Sequence, residues 1–169
     1  WQCSNFFDHA KYLAINVSAI EFSDPNFVNN VITDVEKAQI TPGHLLLEIT
    51  ETTLIGNITD TIEKMQALRN FGILFALDDF GTGYSSLSYL KRLPLNSIKI
   101  DQSFIHDLVI DPNDAAIVEA ILAMAKHLHL NVIAEGVETK EQYQFLKHRG
   151  CNSYQGYYFA RPVSNVRFE

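Results

Sequence analysis

The sequence predicts an α/β fold on a parallel sheet, a TIM-like (β/α)8 barrel of which about six βα units are present. Three observations predict it. Six short runs rich in apolar and β-branched residues recur, at Tyr12–Val17, Leu45–Ile49, Ile73–Leu77, Ser97–Ile100, Asn131–Ala134 and Tyr154–Phe159. In most of them the apolar residues are consecutive rather than alternating, which marks strands buried on both faces. Amphipathic helical stretches with cap signals lie between them, at the roughly 20–35-residue spacing of βαβ units.

The helices are read in order. Asp24-Pro25 opens the first long one, with Pro at the first helical position. Asn57 to Phe71 carries Ile58, Ile62, Met65 and Leu68 on one stripe and meets a stop signal in Gly72. Asp111-Pro112 starts a helix over Ala115–Leu130. Thr139 and Gln142 have the spacing of a capping box, and Gly150 closes that helix. An open doubly wound sheet usually carries a Gly-rich phosphate turn after an early strand. None follows the early strands here. A complete (β/α)8 barrel needs about 250 residues; 169 residues supply about three-quarters of one. With no linker or low-complexity segment, residues 1–169 are expected to form one domain, shortened at its N-terminus. The start, Trp1-Gln2-Cys3-Ser4-Asn5, resembles neither a signal peptide nor an initiation site.

Composition excludes several classes. Apolar residues make up 47% and charged residues 20%, as in ordinary globular proteins. No window approaches 18 consecutive apolar residues, so no spanning helix is encoded. The net charge is −7 and Lys91-Arg92 is the one basic cluster, which argues against a large nucleic acid as partner. A small anion remains compatible, because metal ions can supply positive charge. Cys3 and Cys151 are far apart and solitary, so neither zinc nor a disulfide framework is expected, and a reducing cytoplasm is the simplest setting. The six histidines show no ligand spacing.

The sharpest signal is where polar residues fall. Each apolar run ends in a side chain capable of metal or acid–base chemistry: Asn16, then Glu48 with Glu51 beyond, Asp78-Asp79, Lys99 with Asp101, Glu135 with Glu138, and Gln155. In a barrel all C-terminal strand ends meet on one face, where active sites lie. Asn16 and Gln155 taken singly read as turn or cap residues. Glu48 between Leu47 and Ile49, and Glu135 after Val132-Ile133-Ala134, are harder to explain structurally, because a buried carboxylate is costly unless paired or metal-bound. Lys99 is readable as a structural ion-pair partner, and Asp78-Asp79 as caps of the following helix. Carboxylates with an amide suit hard cations, Mg²⁺ or Mn²⁺, over zinc. Adjacent Asp78 and Asp79 repel unless a cation lies beside them, as in two-metal phosphodiesterases. Ca²⁺ prefers longer bonds and looser geometry and is expected to inhibit. After the acidic pair, Gly81 and Gly83 give backbone freedom and Thr82, Ser85 and Ser86 add short donors, the composition of a loop that responds to ligand.

Taken together these segments resemble the EAL family of bacterial cyclic-di-GMP phosphodiesterases. The matching stretches are Asn16-Val17-Ser18, Leu47-Glu48-Ile49-Thr50-Glu51, Asp78 through Leu87, Lys99-Ile100-Asp101, Ala134-Glu135-Gly136-Val137-Glu138 and Gln155-Gly156-Tyr157. The resemblance implies hydrolysis of cyclic-di-GMP to linear pGpG. Asn16, Glu48 and Asp78 would ligate one metal, and Asp78 and Asp79 a second. Glu135 would ligate metal or assist the attacking water, Lys99 would hold that water and Asp101 would support the cluster. Glu51 would anchor the loop that contains Gly81 and Thr82, and Glu138 and Gln155 would be pocket residues. Expected partners are cyclic-di-GMP, a second copy of the chain, and GGDEF or sensor domains upstream, which could also anchor the whole protein to a membrane. The family's naming Glu-Ala-Leu segment, which carries a metal-ligating glutamate, does not occur in this chain. The 169 residues alone are therefore read as a chain with one metal ligand missing. Two alternatives accompany this reading: an EAL-like module that binds the nucleotide or a protein without turnover, and a metal-dependent barrel hydrolase of another phosphate ester.

Overall fold

A computed structural model of the chain describes residues 12–54, 57–83 and 87–162. Strands and helices alternate: β1 (Leu13–Val17), α1 (Ala19–Ser23), α2 (Phe27–Lys37), β2 (Leu45–Thr50), α3 (Ile58–Phe71), β3 (Leu74–Phe80), α4 (Leu87–Leu90), β4 (Ser97–Ile100), α5 (Gln102–His106), α6 (Pro112–His127), β5 (Asn131–Ala134), α7 (Lys140–His148) and β6 (Ser153–Tyr154). Single 3-10 turns, Pro42–His44 and Glu51–Leu54, flank β2. The strand order follows chain order, and the fold is the α/β class with a six-stranded parallel sheet that the apolar runs predict. The chain divides into two compact units, residues 1–98 and 99–169.

In the first unit β1, β2 and β3 pair in parallel, with Asn16 opposite Glu48, Glu48 opposite Ala76 and Thr50 opposite Asp78. Leu45, Leu46, Leu47 and Ile49 of β2 are all buried. Each such side chain contributes about 1.5–3 kcal/mol on burial. That offsets the cost of holding Glu48, which the same strand also buries. β1 departs from the expectation of a strand buried on both faces. It stands at one end of the strand order, and Ala14, Ile15 and Asn16 are exposed. The Asn57 side chain caps α3 by accepting from the Thr59 and Asp60 amides, and Gly72 ends it at φ 105°, where a side chain is strained. From α3, Lys64 is buried. It donates to the Phe22 carbonyl of α1 at 3.0 Å and pairs with Asp60 at 3.0 Å. Asn96 extends the edge of β3: its side-chain oxygen accepts from the Phe75 amide and its own amide donates to the Phe75 carbonyl. That exchange fixes where β4 begins.

In the second unit β5 pairs in parallel with β6, Ile133 opposite Ser153 and Ala134 opposite Tyr154. Asp111 caps α6, whose first residue is Pro112. The Thr139–Gln142 capping box starts α7, and Gly150, at φ 86°, follows its last turn. Arg149 packs over the Phe145 ring and pairs with Glu119 of α6, which fastens the two helices.

Two further expectations fail. Pro25 does not open a helix: the Asp24 carboxylate accepts from the Asn26 amide at 2.7 Å, and this local turn delays α2 to Phe27. The last strand is Ser153–Tyr154, not Tyr154–Phe159. After Gln155 the chain turns, with the Phe159 amide donating to the Gly156 carbonyl, and Tyr157, Tyr158 and Phe159 are left exposed. Tyr158 and Phe159 stack instead with Tyr143 and Tyr154. Apolar content alone cannot separate such an aromatic turn from a strand.

Candidate active site

The first unit assembles three oxygen donors. Partners in a parallel register point to the same face, and residues two apart on a strand share it. Asn16 of β1, Glu48 of β2 and Asp78 of β3 therefore lie on one face: Asn16 opposes Glu48, and Asp78 opposes Thr50, two residues beyond Glu48. Glu48 and Asp78 are buried, whereas Asn16 is exposed. An amide and two carboxylates form an all-oxygen set, the donor chemistry of Mg²⁺ or Mn²⁺.

Asp79 breaks the alternation. It adopts φ 53°, a left-handed conformation uncommon outside glycine, and its amide donates to Asp78 Oδ1 at 3.1 Å. The exposed Thr82 closes the turn by donating its amide and its hydroxyl to the Asp79 carbonyl. Gly81, at φ 103°, follows. Its amide donates to Glu51 Oε1 at 3.0 Å. Glu51 Oε2 is buried without a hydrogen bond, and a side chain at Gly83 would overlap it. Glu51 thus grips the turn that follows the acidic pair through one oxygen and abuts it with the other. Tyr84, Ser85 and Ser86 of the same motif, like Cys3 and His9, lie outside the described residues.

In the second unit the buried Lys99 pairs with Glu135 Oε1 at 2.8 Å. Burial strengthens such a pair electrostatically and makes it costly to break. The Glu135 amide donates to the Ile100 carbonyl, which holds the residue directly beyond β5. Asp101 caps α5, its carboxylate accepting from the amide and hydroxyl of Ser103. Glu138 and Gln155 are exposed. Gln155 works through its backbone: its amide donates to Ala134 and its carbonyl accepts from Val137. Gly136, at φ 67°, has no room for a side chain, because a Cβ would meet Gln102 Cβ at 2.6 Å.

Two other ionisable groups lie near β6. Burial pushes the Tyr154 phenol up to about 12, with Cys151 and Tyr143 adding in the same direction, and the phenol donates to the Cys151 carbonyl. Burial also pushes the Cys151 thiol up, which suits an inert core thiol and not a nucleophile. His106, His127, His129 and His148 are exposed and His44 is half-buried.

The left-handed Asp79 and the second role of Gln142 were not legible in the sequence. The capping-box spacing announces Gln142, but nothing in the spacing shows that the same amide reaches α5, donating to the carbonyls of Ile105 and His106.

The chain is similar in sequence and fold to known proteins over most of its length. The chain is 44% identical over 156 residues to the bifunctional diguanylate cyclase/cyclic di-GMP phosphodiesterase MucR of Pseudomonas aeruginosa, covering 92% of this chain and 23% of that protein. It spans about a fifth to a quarter of the length of such curated relatives. A structure of the PaMucR phosphodiesterase in complex with c-di-GMP matches with a TM-score of 0.89 at 42% identity, over 94% of this chain and 64% of that one. The manganese/cy-diGMP complex of Klebsiella pneumoniae BlrP1 matches with a TM-score of 0.85 at 34% identity, over 95% of this chain and 41% of that one. No helix of the described residues is long and apolar enough to cross a membrane. The family model for the EAL domain matches residues 1–162, and the chain belongs to that family.

Proposed function

We propose that the protein hydrolyses cyclic-di-GMP to linear pGpG with divalent metal ions, Mg²⁺ or Mn²⁺, and that Ca²⁺ inhibits it. The observation that carries this reading is the shared face of Asn16, Glu48 and Asp78 on β1–β3, three hard oxygen donors in register. These residues, with Asp79 and Glu135, would hold the ions. Bound there, divalent ions neutralise phosphate charge and make water more acidic.

The remaining roles belong to the chain itself. Lys99, paired with Glu135, would donate a hydrogen bond to the attacking water, and the Glu135 carboxylate would ligate metal or assist that water. Asp101 caps the start of α5, two residues after Lys99. The water oxygen forms a bond to phosphorus as one ester P–O bond breaks, and the departing oxygen takes up a proton. Glu51 holds the turn at Gly81 and Thr82, while Glu138 and Gln155 contribute polar groups toward the nucleotide. Partner domains belong to the same proposal, since the MucR relative is named for two activities. So do a second copy of the chain, to be read from solution mass, and a cytoplasmic setting.

The test is hydrolysis by the intact protein, stripped by chelator and then given Mg²⁺, Mn²⁺ or Ca²⁺, with products separated by chromatography. Turnover with the first two and inhibition by the third is the expected result. Full activity after exhaustive chelation overturns the metal mechanism. Nucleotide binding without turnover under every metal condition overturns the hydrolytic reading in favour of a receptor.

A further inference from the structure

We infer that Gln142 is a positioning residue that fixes the segment 135–139 against α5, and so sets the placement of Glu135 and Glu138; the inference rests on the hydrolytic reading given above. The segment has no regular secondary structure, yet it carries both carboxylates. Its backbone is held at several points. The Glu135 amide donates to Ile100, the Val137 amide to Gln155, and the Val137 carbonyl accepts from the Tyr158 amide. Each of these anchors is backbone to backbone and survives any substitution that preserves the fold. At the far end the anchor is a side chain. Gln142 Oε1 accepts from the Glu138 amide at 2.8 Å and from the Thr139 amide at 2.9 Å. Its Nε2 donates to the Ile105 carbonyl at 3.0 Å and the His106 carbonyl at 3.1 Å.

One buried carboxamide thus uses both acceptor positions and both donor hydrogens. A capping box needs only the Thr139 amide bond and its reciprocal. The contacts to Glu138 and to the last turn of α5 exceed that need. They join two stretches that begin at the reacting groups: α5 is capped by Asp101, two residues after Lys99, and the segment starts at Glu135, the partner of Lys99. Gln142 closes this loop of structure at its distal side. Substituting groups that orient catalytic ligands typically costs on the order of 10–100-fold in activity.

The experiment compares Gln142→Leu and Gln142→Glu with the parent in the intact protein. It reads amide hydrogen exchange by NMR together with kcat and KM for cyclic-di-GMP at a temperature where all are folded. Gln142→Leu is expected to speed exchange at Glu138 and Thr139 at least tenfold, with Ile133 and Leu146 unchanged. Its kcat should fall on the order of 10–100-fold with KM within about threefold. Gln142→Glu keeps the acceptor oxygens and loses the donors. It should keep the Glu138 and Thr139 amides protected and recover at least part of the lost kcat. Parental kcat in Gln142→Leu overturns the inference, as does acceleration spread evenly over Ile133 and Leu146. If Gln142→Leu does not fold, loss of protection at Glu138 and Thr139 in Gln142→Glu overturns it, and retained protection with a reduced kcat supports it. If the parent shows no hydrolysis, the proposed function falls, and the exchange pattern alone decides whether Gln142 fixes the segment.

Discussion

Gly156 offers a measurable test of how tightly the second unit is built around its site segment. A Cβ added there would overlap the backbone nitrogen and carbonyl oxygen of Val137 and lie 2.8 Å from its carbonyl carbon. Those atoms cannot rotate away like a flexible side chain. They also make two hydrogen bonds, Val137 amide to Gln155 and Tyr158 amide to Val137, each 3.0 Å long. Overpacking costs about 1–3 kcal/mol, and losing both bonds adds about 1 kcal/mol each. Gly156→Ala is therefore expected to destabilise by about 3–5 kcal/mol. At about 2–4 °C per kcal/mol for a chain of this size, the melting temperature falls by about 6–20 °C. Gly150 supplies the contrast, with nothing within 4 Å but φ 86°. There the cost is the backbone conformation alone, about 1–2 kcal/mol. Gly43 has open space and no unusual φ, so Gly43→Ala should leave stability unchanged or slightly raised. Thermal melting followed by circular dichroism ranks the three. A Gly156→Ala protein that melts within 2 °C of the parent would refute the packing described here.

Lys99→Ala should lower kcat by about 10²–10⁴-fold with little change in KM, read from steady-state kinetics. Glu48→Ala should abolish metal binding, read by calorimetric Mn²⁺ titration, and turnover together, while thermal melting shows whether the variant is folded. The Tyr154 phenol, pushed up to about 12, ionises less readily in the folded chain than in the unfolded one, whose phenol titrates near 10. The unfolded state then binds fewer protons, so stability is intact below pH 10 and declines as pH rises from about 10 to about 12. Urea midpoints across that range should fall less steeply in Tyr154→Phe, and an unchanged slope would show that another group is responsible.

Much of this structure was legible because buried parallel strands and helix caps write local signals. β4 and β5 have the limits their apolar runs announce, and Asn57, Asp111 and Thr139 cap the helices that follow them. The aromatic run Tyr154–Phe159 misled because rings packed against Tyr143 look, in sequence, like a strand. Pro25 misled because a side-chain turn at Asp24 competes with the helix start one step earlier. Among the site residues, Glu48 was conspicuous as a lone acid among leucines. Lys99 and Glu135 could each be suspected, but their 2.8 Å pairing needs tertiary structure. Asp101, expected to support the reacting cluster, also caps α5, a role every Asp after a strand can take.

The left-handed backbone at Asp79 sets durability against chemistry at a single position. An L-residue there carries a conformational penalty of about 1–2 kcal/mol, softened for aspartate and absent for glycine. Asp79→Gly would relax the turn that Thr82 closes while deleting the carboxylate. Laboratory evolution sorted on heat resistance alone should therefore drift toward glycine at this position and yield a hardier protein without turnover. Sorting on product formation should retain the acid and tolerate the weaker turn. A designer seeking a robust variant would look for compensation elsewhere, in the helix caps or at Gly43, and leave residue 79 as it is.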